Sequence, residues 1–149
     1  VGVDNFKEVG QVVDEQIQAD IDGFMGMLTE NYQEVVSQYA QAYLFDASTD
    51  STMVNRVTQS LIESDEDVAI SSIGHYFDYS QGESEKLGEL DRKLFLINSE
   101  NYPTDTVGLE NSGVEYEVLS IGLTGHYTMN EKPEAFNHLL QMVIRELSE

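Results

Sequence analysis

The chain has 149 residues, of which 28 are Asp or Glu and only seven Lys or Arg, giving a formal charge of −21 at pH 7. That balance argues against direct attachment to DNA, RNA or anionic lipid through a basic surface. The absence of cysteine excludes disulfides, thiol catalysis and Cys-ligated zinc. A 40% hydrophobic content sets the sequence apart from disordered chains, and the length suits a single domain, 1–149, with a sizeable core.

From Asp4 to Phe45, apolar residues recur every three or four positions, through Val9, Val13, Ile17, Ile21, Phe24, Leu28, Tyr32, Val35, Tyr39 and Ala42. The spacing predicts a long N-terminal helix, or two helices end to end, capped by Asp4 and kinked or broken, if anywhere, at Gly23 and Gly26. As one rod it is roughly 60 Å long, more than its own globule covers. The stripe of Phe24, Leu28, Tyr32, Val35, Tyr39 and Tyr43 is therefore the candidate interaction surface, for a protein partner or a homodimer.

A polar turn at 46–51 precedes a second predicted helix, 52–64, and the acidic run 63–67 lacks the ligand spacing of a calcium loop. Val68 to Tyr79 carries apolar groups on both alternating faces and is expected as a central strand, broken at 80–84. Residues 85–97 start with helical spacing and end on Leu-Phe-Leu-Ile, which periodicity leaves open between helix and strand. A loop is expected over 98–113, and strand over 114–128 with a bulge at Val118/Leu119 or a division into two strands there. Pro133 then opens a terminal helix. The expected fold is α+β: the helical segment 1–45 beside an α+β globular part, 46–149, in which two or three helices cover a small sheet.

Chemistry-bearing residues are few. Ile73-Gly-His-Tyr76 and Thr124-Gly-His-Tyr127 are expected to close two strands. His75 and His126, with Thr128, are thus the candidate acid–base pair of an enzyme. His126-Tyr-Thr128 resembles one half of the paired His-x-Thr motif of the 2H phosphoesterases, but Phe77 stands where the second half needs a hydroxyl. No cofactor or metal motif is present: there is no Gly-x-Ser-x-Gly, no glycine-rich phosphate loop and no i, i+4 histidine pair.

The order of a long helix, a second helix running into Val68–Ile73, then Leu119-Ser-Ile-Gly-Leu-Thr-Gly-His-Tyr127 and an amphipathic helix resembles the periplasmic scaffold subunits of type IV pilus and type II secretion machines. That resemblance implies a coiled coil followed by a ferredoxin-like domain. This sequence departs from it in a longer stretch between the strands and in the Asn130–Pro133 insertion. It has no run of 18 apolar residues, so any membrane attachment is through an anchor outside it. The start at Val1 rather than Met fits a chain cut just after such an anchor, or one that has lost its initiator.

The leading functional expectation is a non-catalytic, acidic protein-interaction module, an extracytoplasmic scaffold or sensor-type domain of a membrane-anchored bacterial protein, with extracytoplasmic placement preferred over cytoplasmic. Two alternatives stand beside it: an inhibitor of DNA-mimic or immunity type that binds a basic nucleic-acid-binding protein, and a histidine-dependent phosphoesterase-like enzyme.

Overall fold

The computed structural model describes residues 1–80 and 82–148. It is α+β, with a three-stranded, wholly parallel sheet in the order β1-β2-β3. Strand β1 is Gly2–Val3, β2 is Leu94–Asn98 and β3 is Tyr116–Ser120. Parallel neighbours need crossover connections, and here the two crossovers are very unequal. Between β2 and β3 lies the short helix α6, Thr106–Ser112. Between β1 and β2 lie α1 (Glu15–Glu30), α2 (Tyr32–Tyr39) with a π-helical turn (Ala40–Leu44), α3 (Ser51–Ile62), α4 (Glu66–Ser80) and α5 (Glu83–Gly88). Helices α7 (Thr128–Glu131) and α8 (Pro133–Glu146) follow β3.

Strand β2 is central and almost wholly buried, in keeping with its unbroken run Leu-Phe-Leu-Ile. On one side Leu96 joins Val9, Leu87, Leu109 and Val114 in a core cluster. Alternation along the strand leaves Phe95 and Ile97 for the other side, where α8 packs on β2. A Cβ on Gly2 would stand 2.7 Å from Leu96 Cδ2, so a larger residue there would make the Leu96 side chain shift. Helices α1 to α4 form a second cluster around Leu28, Tyr32 and Val36, with Leu61, Ile70 and Ile73 packed against it.

Several expectations are corrected. Of the two readings of residues 4–45, the structure has helices end to end, α1 and α2, and not one rod. The first helix begins at Glu15, where Asp14 accepts a hydrogen bond from Ile17 N, and Asp4 is no helix cap. The break falls at Asn31, whose backbone leaves the helical region. Nothing crowds Gly23 or Gly26, which sit inside the unbroken α1. The buried stripe runs Leu28, Tyr32, Val36, Ala40, Leu44, so beyond Tyr32 it shifts one residue from the predicted line and turns Tyr39 and Tyr43 outward.

Val68–Tyr79 is helix, within α4. Its apolar pattern on both strand faces arises because Ala69, Ile70, Ile73 and Phe77 are also spaced for one helical face. Asp65 accepts from Val68 N and favours the helical start. Gly-His-Tyr therefore closes no strand at 74–76, and at 125–127 it lies after β3 has ended. Strand β3 keeps an unbroken register, Leu94 opposite Tyr116 through Asn98 opposite Ser120, with no bulge at Val118/Leu119. The ambiguous stretch 85–97 is both things in turn, α5 and then β2. The expected loop 98–113 contains α6. Gln81, in the predicted break at 80–84, lies outside the described residues. The all-parallel sheet is also not the ferredoxin-like arrangement that the secretion-scaffold resemblance implies.

Candidate functional site

Parallel strands all deliver their carboxyl ends to one edge, and ligands of open α/β sheets bind there. The residue leaving β1 at that edge is Asp4 and the residue leaving β2 is Ser99. Asp4 is only 7% exposed. Its N–H still donates to Ile97 O at 3.0 Å, completing the β1–β2 ladder, but its φ is +45° and that of Phe6 is +56°. Non-glycine residues adopt this region at a cost, Asp more readily than Phe, and such residues cluster at functional sites.

The carboxylate meets three donors. Oδ1 accepts from Ser99 N at 3.0 Å and from the Lys7 ammonium at 2.9 Å, and Oδ2 lies 3.1 Å from His126 Nδ1. Burial pushes the Asp4 carboxyl up. The donors His126, Lys7 and Ser99 together outweigh it and leave the group below the ordinary carboxylate range. Lys7 is pinned further by the carbonyls of Tyr102, at 2.6 Å, and Ser99, at 3.3 Å. Asn98 fixes the segment after β1, accepting from Asn5 N and donating to Asn5 O and Thr104 Oγ1. Asp105 accepts from both Val9 N and Gly108 N, so one carboxylate ties the exit of β1 to the start of α6.

Asp4, His126 and Ser99 are the residue types of a hydrolytic triad, but their arrangement is different. The Ser99 hydroxyl donates to Thr124 O at 2.6 Å and accepts from Thr124 N and Asn101 N. Its proton is committed and no base faces it. His126 is aimed at Asp4 instead.

Above Asp4 opens a cavity of about 540 Å³. Its floor is Asp4, Asn5 and Lys7 from the sheet edge, with His126. Its far wall is Tyr39, Tyr43 and Leu44 from the end of α2 and its π-helical turn, Tyr76 from α4 and Glu83 from α5. His126 N donates to Leu44 O at 2.9 Å, and the Tyr102 hydroxyl donates to Ala42 O at 3.3 Å, so the turn is anchored to the sheet side. A Cβ on Gly125 would stand 2.6 Å from Leu44 O, which makes glycine necessary at this seam. Burial raises the Tyr39, Tyr76 and Glu83 pKa values; neighbouring tyrosines add to the shift at Tyr39, and Glu83 and Glu8 add to that at Tyr76.

The sequence candidates are scattered. His126 is in the site. His75 is on α4, exposed beside Asp78, and borders a different cavity. Thr128 is fully buried at the start of α7, and its hydroxyl finds no partner among the described residues. Leu28 and Tyr32 are interior, Val35 and Phe24 are half-buried, and Tyr39 and Tyr43 are exposed on the cavity wall. Sequence reasoning missed Asp4 as a site residue, along with Lys7 and Ser99. The available signal was that Gly-Val and Leu-Phe-Leu-Ile are apolar runs ending in polar residues. Among the described residues no three His, Asp or Glu side chains converge to hold a metal ion. No described helix is long and apolar enough to cross a membrane.

No protein-family model matches the sequence, and no curated protein matches it. Among solved structures the fold is similar to that of a hydrolase from Oleispira antarctica, with a TM-score of 0.64 at 15% identity. The match covers 92% of this chain and 50% of that one, so this chain spans half the length of that hydrolase. At this identity the likeness is one of fold.

Proposed function

We propose that the chain carries a hydrolase site in which Asp4 is the nucleophile. The observation that supports it is a buried carboxylate at the carboxyl edge of a parallel sheet, kept ionised by three donors on left-handed backbone and facing a cavity. An ionised carboxylate is a competent nucleophile for covalent catalysis. Oδ2, with one donor against two on Oδ1, is the freer oxygen. It attacks the electrophilic centre of the substrate, the leaving group departs with its bonding electrons, and an ester or mixed anhydride of Asp4 forms. Water then adds at the Asp4 carboxyl carbon, and cleavage returns the carboxylate and releases the product. In a neutral His126 ring whose Nδ1–H donates to Asp4, Nε2 is left to take the proton of that water. Lys7 offsets the charge that develops on Oδ1.

The fold likeness to a hydrolase supports this reading over a non-catalytic one. The test uses phosphate monoesters, alkyl halides and carboxylic esters as substrates. Single turnover of an accepted substrate in ¹⁸O-water places the label in the peptide containing Asp4. Asp4→Asn turning over as fast as the wild type would overturn the proposal.

A second reading, docking to a basic protein partner, is favoured by the charge of −21. It requires complexes whose affinity falls as salt is raised, and equal affinity at low and high salt removes it.

A further inference from the structure

A second cavity, of about 480 Å³, lies within the helical insertion between α1, α2 and α4. Its lining is Phe24, Leu28, Val36, Ile73 and Phe77, with Ser72, Tyr39 and Tyr76. Ser72 is its single aliphatic hydroxyl, and that hydroxyl donates to Val68 O in its own helix. Tyr39 and Tyr76 also line the cavity above Asp4, so the two spaces share a wall.

The aromatic rings make that wall continuous. Phe77 meets Phe24 edge-on with centroids 6.3 Å apart, Phe24 lies 6.4 Å from Tyr39, and Tyr39 lies 5.1 Å from Tyr43. The series starts on the lining of the apolar space and ends on the lining of the cavity above Asp4. Ligand pockets combine this kind of apolar lining with a few convergent polar groups at one end.

We infer that the apolar cavity holds an alkyl or aryl arm of the substrate whose reactive end lies at Asp4, so the site takes amphiphilic molecules with a polar electrophilic head and an apolar tail. This rests on the Asp4 reading for the head but not for the tail. An apolar arm needs no charged partner, and it fills a lining that water solvates poorly.

The test separates the two. The neutral fluorophore N-phenyl-1-naphthylamine is titrated into the wild type, Asp4→Asn and Ile73→Trp, with butanol to octanol as competitors. The expected result is saturable binding to the wild type and to Asp4→Asn alike. Competition should strengthen about fourfold per methylene, the value of burying one such group, and binding should weaken at least tenfold in Ile73→Trp. A second variant, Phe77→Ala, enlarges the cavity and should extend the chain-length trend by one or two carbons. No saturable binding to the wild type, or no dependence on chain length, overturns the inference whether or not Ile73→Trp folds. Loss of turnover in Asp4→Asn bears only on the nucleophile. Intact probe binding together with unchanged turnover in Asp4→Asn would remove the nucleophile and leave the tail pocket standing.

Discussion

The sheet end and the helical insertion solve different problems. At the sheet end the polar atoms are committed: the Lys7 ammonium has three acceptors, Asn98 bonds through both ends of its amide, and Asp105 ties two backbone segments together. Strand β2 has four fully buried residues in five. In the insertion, α3 and α4 have no fully buried side chain, and its cluster rests on Leu28, Tyr32 and Val36. A densely bonded frame suits groups that must be held in place for chemistry. Sparse burial gives a region low local stability and freedom to adjust, which suits the walls of the proposed substrate site. In this molecule position is set by the sheet and shape by the helices.

The largest effect that tests this division is at Asp4. Asp4→Asn should cut turnover by about 10³-fold or more, roughly 4 kcal/mol of transition-state stabilisation. It should leave the circular dichroism spectrum intact, because an amide oxygen still accepts from Ser99 N. Next come matched core truncations, Leu96→Ala and Leu28→Ala, each costing about 2–5 kcal/mol. Hydrogen exchange should show Leu96→Ala lowering protection everywhere and Leu28→Ala lowering it chiefly in α1 to α4. Identical exchange patterns for the two variants would erase the distinction.

At the seam, Gly125→Ala should destabilise by about 1–3 kcal/mol through overpacking against Leu44, read as a fall in melting temperature. The smallest effect is on pH dependence. The folded Asp4 pKa is depressed below the ordinary carboxylate range, so its stabilisation is complete above the unfolded value and is lost as pH falls through the folded one. Melting temperature against pH should show an acid limb that is shallower in Asp4→Asn, with the difference confined below about pH 4.

Much of the helical part was legible in the sequence, and the reasons are physical. Helix α3 and the Pro133 start of α8 follow from local capping and spacing, and so does the helical face from Leu28 to Leu44, to within one residue. The failures are where tertiary context decides. Two residues of β1 carry no period of their own and predict no strand, while the 3.6-residue spacing runs back through Val13 to Val9 and makes Asp4 look like a helix cap. Val68–Tyr79 fits both periods, and the packing of Ile70, Ile73 and Phe77 on α1 and α2 decides for helix. His126 stands out as one of three histidines in the chain. Asp4 was one of 28 acidic residues, and only the sheet edge singles it out.

The hydrogen bonds around Asp4 also bear on the order in which the molecule comes together. Ser99 is 95 positions from Asp4 and His126 is 122, so each contact closes a long loop before it stabilises anything. Contacts of such separation form slowly, whereas α1 and α2 are joined at a single residue and meet early. The carboxylate centre is thus a late product of folding. Anything that slows pairing of the first strand with the second delays the proposed turnover more than it delays helix content, a lag that stopped-flow circular dichroism and a turnover assay on the same refolding sample would measure.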